Sequence, residues 1–245
     1  MRFLLGALAL LMTQEGEVRM LLDPKVPMEQ REQAVKKLAT TRSGGEAILQ
    51  LVADAKFPPE LKATAAFACA ASPEDAVRLR AADLLPLPKS KEKTPLPPIR
   101  RLTEMKGDAA RGAAVYRRPE GPNCIGCHMV AEEGRQVGPP LTAISNKLSR
   151  EQLFESILTP SAAILMSYEN WVVRTTDGDV KTGIKVEETD DHITLKDNQG
   201  EYIDIPLPRI ADRKQMTLSM MPENITESMT VQELVDLVEY LTTLR

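Results

Sequence analysis

Five consecutive residues, Cys124-Ile125-Gly126-Cys127-His128, constrain this chain more than any other part of its sequence. They form a C-x-x-C-H segment, in which two thiols three positions apart are followed at once by an imidazole. Thiols at this spacing can each form a thioether with one of the two vinyl groups of a haem, while the adjacent histidine ligates the iron. The segment therefore predicts covalent attachment of a c-type haem, with Cys124 and Cys127 as the attachment points and His128 as the axial ligand.

Two other chemistries use the same residue types. The chain has three cysteines and two histidines, so a four-ligand zinc site would need Cys124, Cys127 and His128 with either Cys69 or His192. Neither of these two has a paired motif around it. A thioredoxin-like C-x-x-C needs a βαβ context, whereas the segments before Cys124 have the pattern of helix and loop. Haem attachment is the stronger interpretation, and Cys69 is expected to fill an apolar helical core, with an intermolecular disulfide as the alternative.

The overall composition indicates two domains and excludes some partners. At 245 residues the chain is long enough for two small domains. Its 42% hydrophobic residues allow real cores, which must be mostly aliphatic because aromatic residues make up only 4%. The net charge is −4 and there is no basic patch, so we expect no nucleic-acid partner. No apolar stretch is long enough to span a membrane.

Residues 1–12 start with Met1-Arg2 and continue as an apolar run, which resembles a short signal peptide in charge and length. No clear A-x-A cleavage site follows, and Gln14-Glu15-Gly16 leads straight into more helical pattern. The alternative is a buried first helix of a helical domain. Covalent haem attachment in bacteria takes place outside the cytoplasmic membrane, so the C-x-x-C-H segment itself predicts a periplasmic protein under either interpretation.

Residues 1–88 have the pattern of short helices separated by breaks at Gly44-Gly45 and Pro58-Pro59. The predicted helices are 29–38, 46–53, 60–71 and 73–85. Helices this short, interrupted at such short intervals, suggest antiparallel pairs of the HEAT type, with a plain helical bundle as the alternative. Residues 89–101, rich in proline and lysine, are predicted to form a linker.

Residues 102–245 combine helices with strands. A helix is predicted from Gly107 to Tyr116 and another over 230–241, where Thr230 and Glu233 have the spacing of a capping box. The stretches 170–176, 180–187, 192–196 and 201–205 predict an antiparallel meander of about four strands. The expected fold is therefore mainly α, with a HEAT-like helical segment followed by a helical domain that carries a β insertion at about 168–206.

The motifs of residues 102–245, taken together, resemble a known family. They are a helix with Gly112 and Tyr116, the C-x-x-C-H segment, Gly-Pro-Pro-Leu at 138–141, Met-Pro at 221–222 and a terminal helix ending in Tyr240-Leu241. This order is similar to that of class I cytochrome c. More narrowly, it resembles the planctomycete-type haem-binding domain. In that family a β insertion precedes a Ser-x-Met-Pro motif, here Ser219-Met220-Met221-Pro222, and a HEAT-like region often precedes the domain.

The resemblance implies roles for two further residues. In this family the carbonyl of the proline in Gly-Pro-x-Leu accepts a hydrogen bond from the proximal histidine, which implies Pro139 here. The second axial ligand is the methionine of the Met-Pro pair, which implies Met221. The competing ligands are Met220, Met216, Met229 and His192.

Gly112 is expected to allow close packing of the first helix of the domain against the last. The neighbours expected at that crossing are Tyr116, Leu237 and Tyr240.

Three other residues have two interpretations each. Trp171 either covers an edge of the haem or belongs to the core of the sheet. Arg135 and Lys147 either pair with haem propionates or are solvated surface charges.

The resemblance implies a c-type cytochrome, which is an electron carrier rather than an enzyme, with one covalent haem and His/Met ligation. The implied redox partner is a periplasmic dehydrogenase, in particular a sugar dehydrogenase, or a terminal oxidase. The first alternative is a five-coordinate haem sensor or peroxidase-like enzyme, although no motif for a distal His or Arg is found. The second is an interaction scaffold, in which the helical half docks a partner and the haem is accessory.

Overall fold

A computed structural model of the protein describes residues 14–245, which divide into two compact units. The first unit holds the described residues up to Pro88 together with Pro95–Pro98, and the second holds Lys89–Thr94 and Ile99–Arg245. The signal-peptide prediction for residues 1–12 lies outside the described residues. No helix within residues 14–245 is both long and apolar enough to cross a membrane.

The first unit is helical. A helix that includes residues 14–22 (α1) is followed by α2 (Met28–Leu38), α3 (Arg42–Ala53), α4 (Lys62–Ala70) and α5 (Asp75–Leu84). Their apolar faces meet in one core, which contains the fully buried Val35, Ile48 and Leu61. Cys69 lies in this core with 0% exposure, as a small core residue does, and burial raises the pKa of its thiol to about 11.

The helix break predicted at Gly44-Gly45 is wrong, because both glycines lie inside α3. The N-cap is Thr41, whose hydroxyl accepts a hydrogen bond from the Gly44 N–H at 3.2 Å. A Cβ at Gly45 would come within 2.5 Å of the Val77 side chain. The glycines therefore allow close packing of α3 against its neighbours rather than a turn.

The segment predicted as a linker, residues 89–101, alternates between the two units. In the second unit, the Lys91 N–H donates to the Met229 carbonyl at 2.7 Å, and the Thr226 hydroxyl donates to the Lys89 carbonyl at 3.1 Å. Pro95–Pro98 belong to the first unit, and helix α6 (Ile99–Glu104) then belongs to the second.

The second unit contains three more helices: α7 (Ala109–Arg117), α8 (Arg150–Leu158) and α9 (Val231–Thr242). The predicted capping box of Thr230 and Glu233 is confirmed at the start of α9. Helices α7 and α9 cross at Gly112, where a Cβ would lie 1.9 Å from the Asp236 carbonyl oxygen. The rings of Tyr116 and Tyr240 pack beside this crossing, with 5.7 Å between their centroids. The predicted close crossing of these helices is confirmed.

The second unit also contains antiparallel strands. The short strands β1 (Met129–Val130) and β2 (Glu133–Gly134) pair with each other, and the larger sheet contains β3 (Asn170–Thr175), β4 (Val180–Glu188), β5 (His192–Lys196), β6 (Tyr202–Pro206) and β7 (Ile210–Gln215). The larger sheet has five strands in the order β6-β5-β4-β3-β7, and Val173, Ile193 and Leu195 form its core.

The prediction of about four strands missed β7, which lies beyond the predicted end of the insertion at 206. This strand pairs antiparallel with β3. It is an edge strand whose residues after Ile210 are all exposed, so it lacks the apolar alternation from which strands are predicted. Its pairing with β3, rather than its composition, defines it as a strand.

Candidate haem-binding site

The C-x-x-C-H segment forms a tight turn. Asn123 precedes it in the left-handed conformation, with φ of 46°, and Cys124–Gly126 form one turn of 3-10 helix. The N–H groups of Cys127 and His128 both donate to the Cys124 carbonyl, at 3.1 and 2.8 Å. The two thiols and the imidazole predicted to hold a haem therefore leave the chain from one compact turn.

The imidazole of His128 is positioned on two sides. Its Nδ1 lies 2.8 Å from the carbonyl oxygen of Pro139, the residue that the family resemblance implied. Gly138 lies against the ring, since a Cβ there would be 2.6 Å from the imidazole Cε1. Burial lowers the pKa of His128, and the hydrogen bond to Pro139 opposes this effect in part. A neutral ring with Nδ1–H bound to a carbonyl leaves the Nε2 lone pair for a metal.

The backbone of His128 is anchored to helix α7. The buried Tyr116 hydroxyl donates to the His128 carbonyl at 2.8 Å, and burial raises the pKa of this phenol to about 12. Gly134 approaches the same carbonyl with φ of 107°, and a Cβ at that position would be 2.2 Å from the oxygen. Only glycine satisfies both the positive φ and the close approach.

A second segment, residues 134–141, runs beside the turn and is called the strap below. The N–H groups of Val137 and Gly138 both donate to the Cys127 carbonyl, at 3.0 and 2.7 Å. The Arg135 N–H donates to the Ile125 carbonyl at 3.1 Å. The strap therefore holds the turn by main-chain hydrogen bonds and carries the Pro139 carbonyl to the imidazole.

The two thiols of the turn are free and half-buried. Burial raises the pKa of Cys124 to about 12 and also raises the pKa of Cys127. The positive charge of Arg118 opposes the effect at Cys124, and the Nε of this arginine is buried without a hydrogen-bond partner among the described residues. Redox-active C-x-x-C pairs have lowered thiol pKa values, so the environment of this pair is unlike theirs.

The methionine predicted as the sixth ligand lies in residues 216–222, called the methionine loop below. The Met221 N–H donates to the Ser219 hydroxyl at 3.1 Å, and the Ser219 N–H donates to the Ser161 hydroxyl, also at 3.1 Å. Ser161 is 1% exposed and follows helix α8. Met221, like its neighbours Met216 and Met220, is half-buried.

Two of the competing ligands have other contacts. Met229 is 1% exposed and packed in the core. The Nδ1 of His192 lies 2.9 Å from the Thr189 hydroxyl, and its Nε2 lies 3.9 Å from a Glu187 oxygen. This histidine is the first residue of β5, and its ring contacts the turn that precedes the strand.

The structure shows what surrounds Trp171, Arg135 and Lys147, the residues with two interpretations. Trp171 packs against the core of the larger sheet, and the ammonium of Lys185 lies 4.2 Å from the centroid of its ring. Arg135 donates to the Gln199 carbonyl at 2.7 Å, whereas Lys147 is exposed.

Sequence reasoning missed a buried carboxylate at the crossing of α7 and α9. Asp236 is 2% exposed and accepts hydrogen bonds from both Nε and an Nη of Arg111, at 2.6 and 3.0 Å, and from the Asp108 N–H at 2.8 Å. Burial opposes its ionisation, but the hydrogen bonds from Arg111, Gln232 and Asp108 outweigh this and hold the pKa of Asp236 below its usual value. No clear signal was available, because α9 also contains the acids Glu233 and Glu239, so a third acid is ordinary in this helix.

Comparison with known proteins supports a haem site here. Residues 109–194 match the family model for cytochrome c, a region that includes α7, the C-x-x-C-H turn and the strap. No curated protein matches the chain.

The donor set fits the cofactor of that family, because Cys124 and Cys127 are free thiols and Pro139 binds the ring nitrogen of His128 that a metal would not use. Within the second unit, residues 109–194 are therefore similar to a cytochrome c domain, and the cofactor of that family is covalently bound haem c with its iron.

Proposed function

We propose that this protein is a single-electron carrier with one haem, attached through Cys124 and Cys127 and ligated by His128 and Met221. Such a haem supplies a one-electron couple at its iron, and the protein supplies orientation, potential and a surface for partners. The observation that carries the proposal is the hydrogen bond between His128 Nδ1 and the Pro139 carbonyl, at 2.8 Å. It orients the imidazole for ligation through Nε2 in the same turn that presents the two thiols.

Met221 is the proposed sixth ligand. Its position in Ser-x-Met-Pro supports this choice, as does the attachment of the methionine loop through Ser219 to the buried Ser161. Thioether ligation raises the reduction potential relative to ligation by two histidines. Met220 is the alternative, because the two side chains leave neighbouring positions of the same loop.

A five-coordinate haem sensor or peroxidase-like enzyme is the competing function. It needs an open iron position and a distal acid–base group. His192, the second histidine of the chain, is hydrogen-bonded to Thr189 in the turn before β5, which favours the electron carrier. An accessory haem on an interaction scaffold would need the helical unit, for which we keep the HEAT-like interpretation, to bind the partner.

The partner and the compartment follow from the resemblance to planctomycete-type haem-binding domains. We propose a periplasmic location, a sugar dehydrogenase or another periplasmic dehydrogenase as the electron donor, and a terminal oxidase as an alternative partner. Mixing the reduced dehydrogenase with the oxidised full-length protein should reduce the haem within one turnover of the donor. No reduction by any periplasmic dehydrogenase would contradict this choice of partner.

The function itself is tested on the full chain produced with a c-type haem maturation system. A pyridine haemochrome spectrum and an intact mass should give one covalently bound haem, and the ferric form should be low-spin with the long-wavelength band of methionine ligation. The double variant Cys124→Ser, Cys127→Ser should lose the covalent haem. A high-spin ferric spectrum in the wild-type protein would instead favour the sensor or peroxidase-like function.

A further inference from the structure

The hairpin between β5 and β6 contacts the strap through two hydrogen bonds beside a small cleft. The Lys196 ammonium donates to the Gln136 carbonyl at 2.9 Å, and the Arg135 guanidinium donates to the Gln199 carbonyl at 2.7 Å. The two bonds run in opposite directions, one from the hairpin to the strap and one from the strap to the hairpin. The cleft between them has a volume of about 210 Å³ and is lined by Arg135, Gln136, Lys196, Gln199, Gly200 and Tyr202.

The tip of the hairpin completes this contact. A Cβ at Gly200, where φ is 84°, would lie 3.5 Å from the Val137 side chain, so the hairpin backbone reaches the middle of the strap. The Lys196 ammonium also lies 5.1 Å from the centroid of the Tyr202 ring, which is a second contact for this side chain. The hydrogen bonds of both cations across this contact are to main-chain carbonyls.

The strap is the segment that orients the proposed iron ligand. Val137 and Gly138 bind the Cys127 carbonyl through their N–H groups, and the next residue, Pro139, accepts from the His128 imidazole. A shift of Gln136 or Val137 would therefore move the carbonyl that sets the ring orientation, because only two peptide units lie between Val137 and Pro139.

We propose that Lys196 and Arg135 are positioning residues, through which the inserted sheet holds the strap and thereby the orientation of His128. This inference rests on the proposed function, in which His128 ligates the iron. It gives the β insertion a role inside the domain, namely to hold the proximal ligand from outside the C-x-x-C-H turn. The residues act through Pro139 and do not themselves touch the iron.

The test uses the full-length, haem-loaded protein and the variants Lys196→Met and Arg135→Met, which keep most of the side-chain stem and remove the donor. Lys196→Arg restores a charged donor and serves as a rescue. Lys181→Met is the matched control, since it removes one positive charge from the same sheet while its ammonium contacts Asp179 at 3.2 Å. The readouts are amide hydrogen exchange of residues 135–138 and the midpoint potential at low and high salt.

We expect exchange of the Val137 and Gly138 amides to become about fivefold faster in each donor variant, as loss of one net hydrogen bond predicts. We also expect a change in midpoint potential that persists at high salt, where the effect of an exposed charge is screened. Lys181→Met should change neither, and Lys196→Arg should restore both.

Two failures can be told apart. If the wild-type protein carries no covalent haem, the proposed function fails. If the haem is present but exchange of the strap is unchanged, or if the change in potential disappears at high salt, then the two cations act only as charges and the positioning role is wrong.

Discussion

The two sides of the proposed haem site are held in different ways. On the histidine side, the C-x-x-C-H turn and the strap lie within the 18 residues 124–141 and are joined by main-chain hydrogen bonds to the Ile125 and Cys127 carbonyls. On the methionine side, the loop is attached through the hydroxyls of Ser219 and Ser161, which are far apart in sequence. The histidine side is thus largely a local structure, and the methionine side depends on tertiary packing.

The largest effect is expected when the methionine side loses its ligand. Met221→Ala should abolish the long-wavelength ferric band and open the iron to exogenous imidazole or cyanide, because no thioether remains at the proposed position. Met220→Ala is the matched control and should keep the band. If the two variants exchange these outcomes, Met220 is the ligand. If both keep the band, the sixth ligand is neither Met220 nor Met221, and Met216 or a residue outside the methionine loop takes that place.

The histidine side should be sensitive to a single methyl group. Gly138→Ala places a Cβ 2.6 Å from the His128 Cε1, so the ring or the strap must move. We expect a loss of about 1–3 kcal/mol in the free energy of unfolding and a changed midpoint potential. Gly16→Ala, where no atom lies within 4 Å of the added Cβ, should leave the potential unchanged. Equal effects of the two substitutions would show that the strap does not confine the ring.

The crossing of α7 and α9 joins the two sides, because α7 leads to the turn and α9 follows the methionine loop. Asp236→Asn should lower the free energy of unfolding at neutral pH by about 1–2 kcal/mol, discounted for the exposure of Arg111. The folded state holds the pKa of Asp236 below its usual value, so its contribution is present above the usual pKa and is lost as the pH falls through the folded-state pKa.

Denaturant unfolding of the wild type and of Asp236→Asn, measured from neutral to acidic pH, tests this prediction. The difference between their free energies of unfolding should be largest near neutral pH and should shrink as the pH falls. A difference that stays constant over this range would mean that ionisation of Asp236 is not what stabilises the crossing.

The smallest effect is expected at the attachment of the methionine loop. Ser219→Ala removes the acceptor for the Met221 N–H, and we expect about 1 kcal/mol of weakening, seen as about fivefold faster binding of cyanide to the ferric haem. Ser156→Ala is the control, because that residue is exposed and its hydroxyl donates to the Gln152 carbonyl within its own helix, α8. Unchanged cyanide binding in Ser219→Ala would mean that the serine does not hold the loop.

Local chemistry made part of the fold predictable. The capping box at Thr230 depends on residues three positions apart, and Gly112 signalled a close helix crossing because glycine inside a helix has an intrinsic cost. The C-x-x-C-H turn is equally local, since its hydrogen bonds join neighbours in sequence. Interactions between residues that are close in sequence leave a pattern that can be recognised in a single sequence.

The features that escaped prediction depend on distant partners. Strand β7 is polar and exposed and exists through its pairing with β3. Two consecutive glycines, Gly44 and Gly45, are typical of a turn, yet both lie inside α3. Val77 of α5 packs against Gly45 there. Asp236 has an ordinary neighbourhood in sequence, and only Arg111 and the Asp108 N–H make its burial favourable.

The sequence by itself determined the proposed attachment chemistry, because two thiols and an imidazole at fixed spacing need no partner from elsewhere in the chain. It also determined the helices that bracket this segment, through their caps and apolar periodicity. Only the tertiary structure decided that Ser161 holds the methionine loop and that the inserted sheet touches the strap. These contacts form between chain segments whose approach depends on the packing of the whole domain, so no short stretch of sequence encodes them.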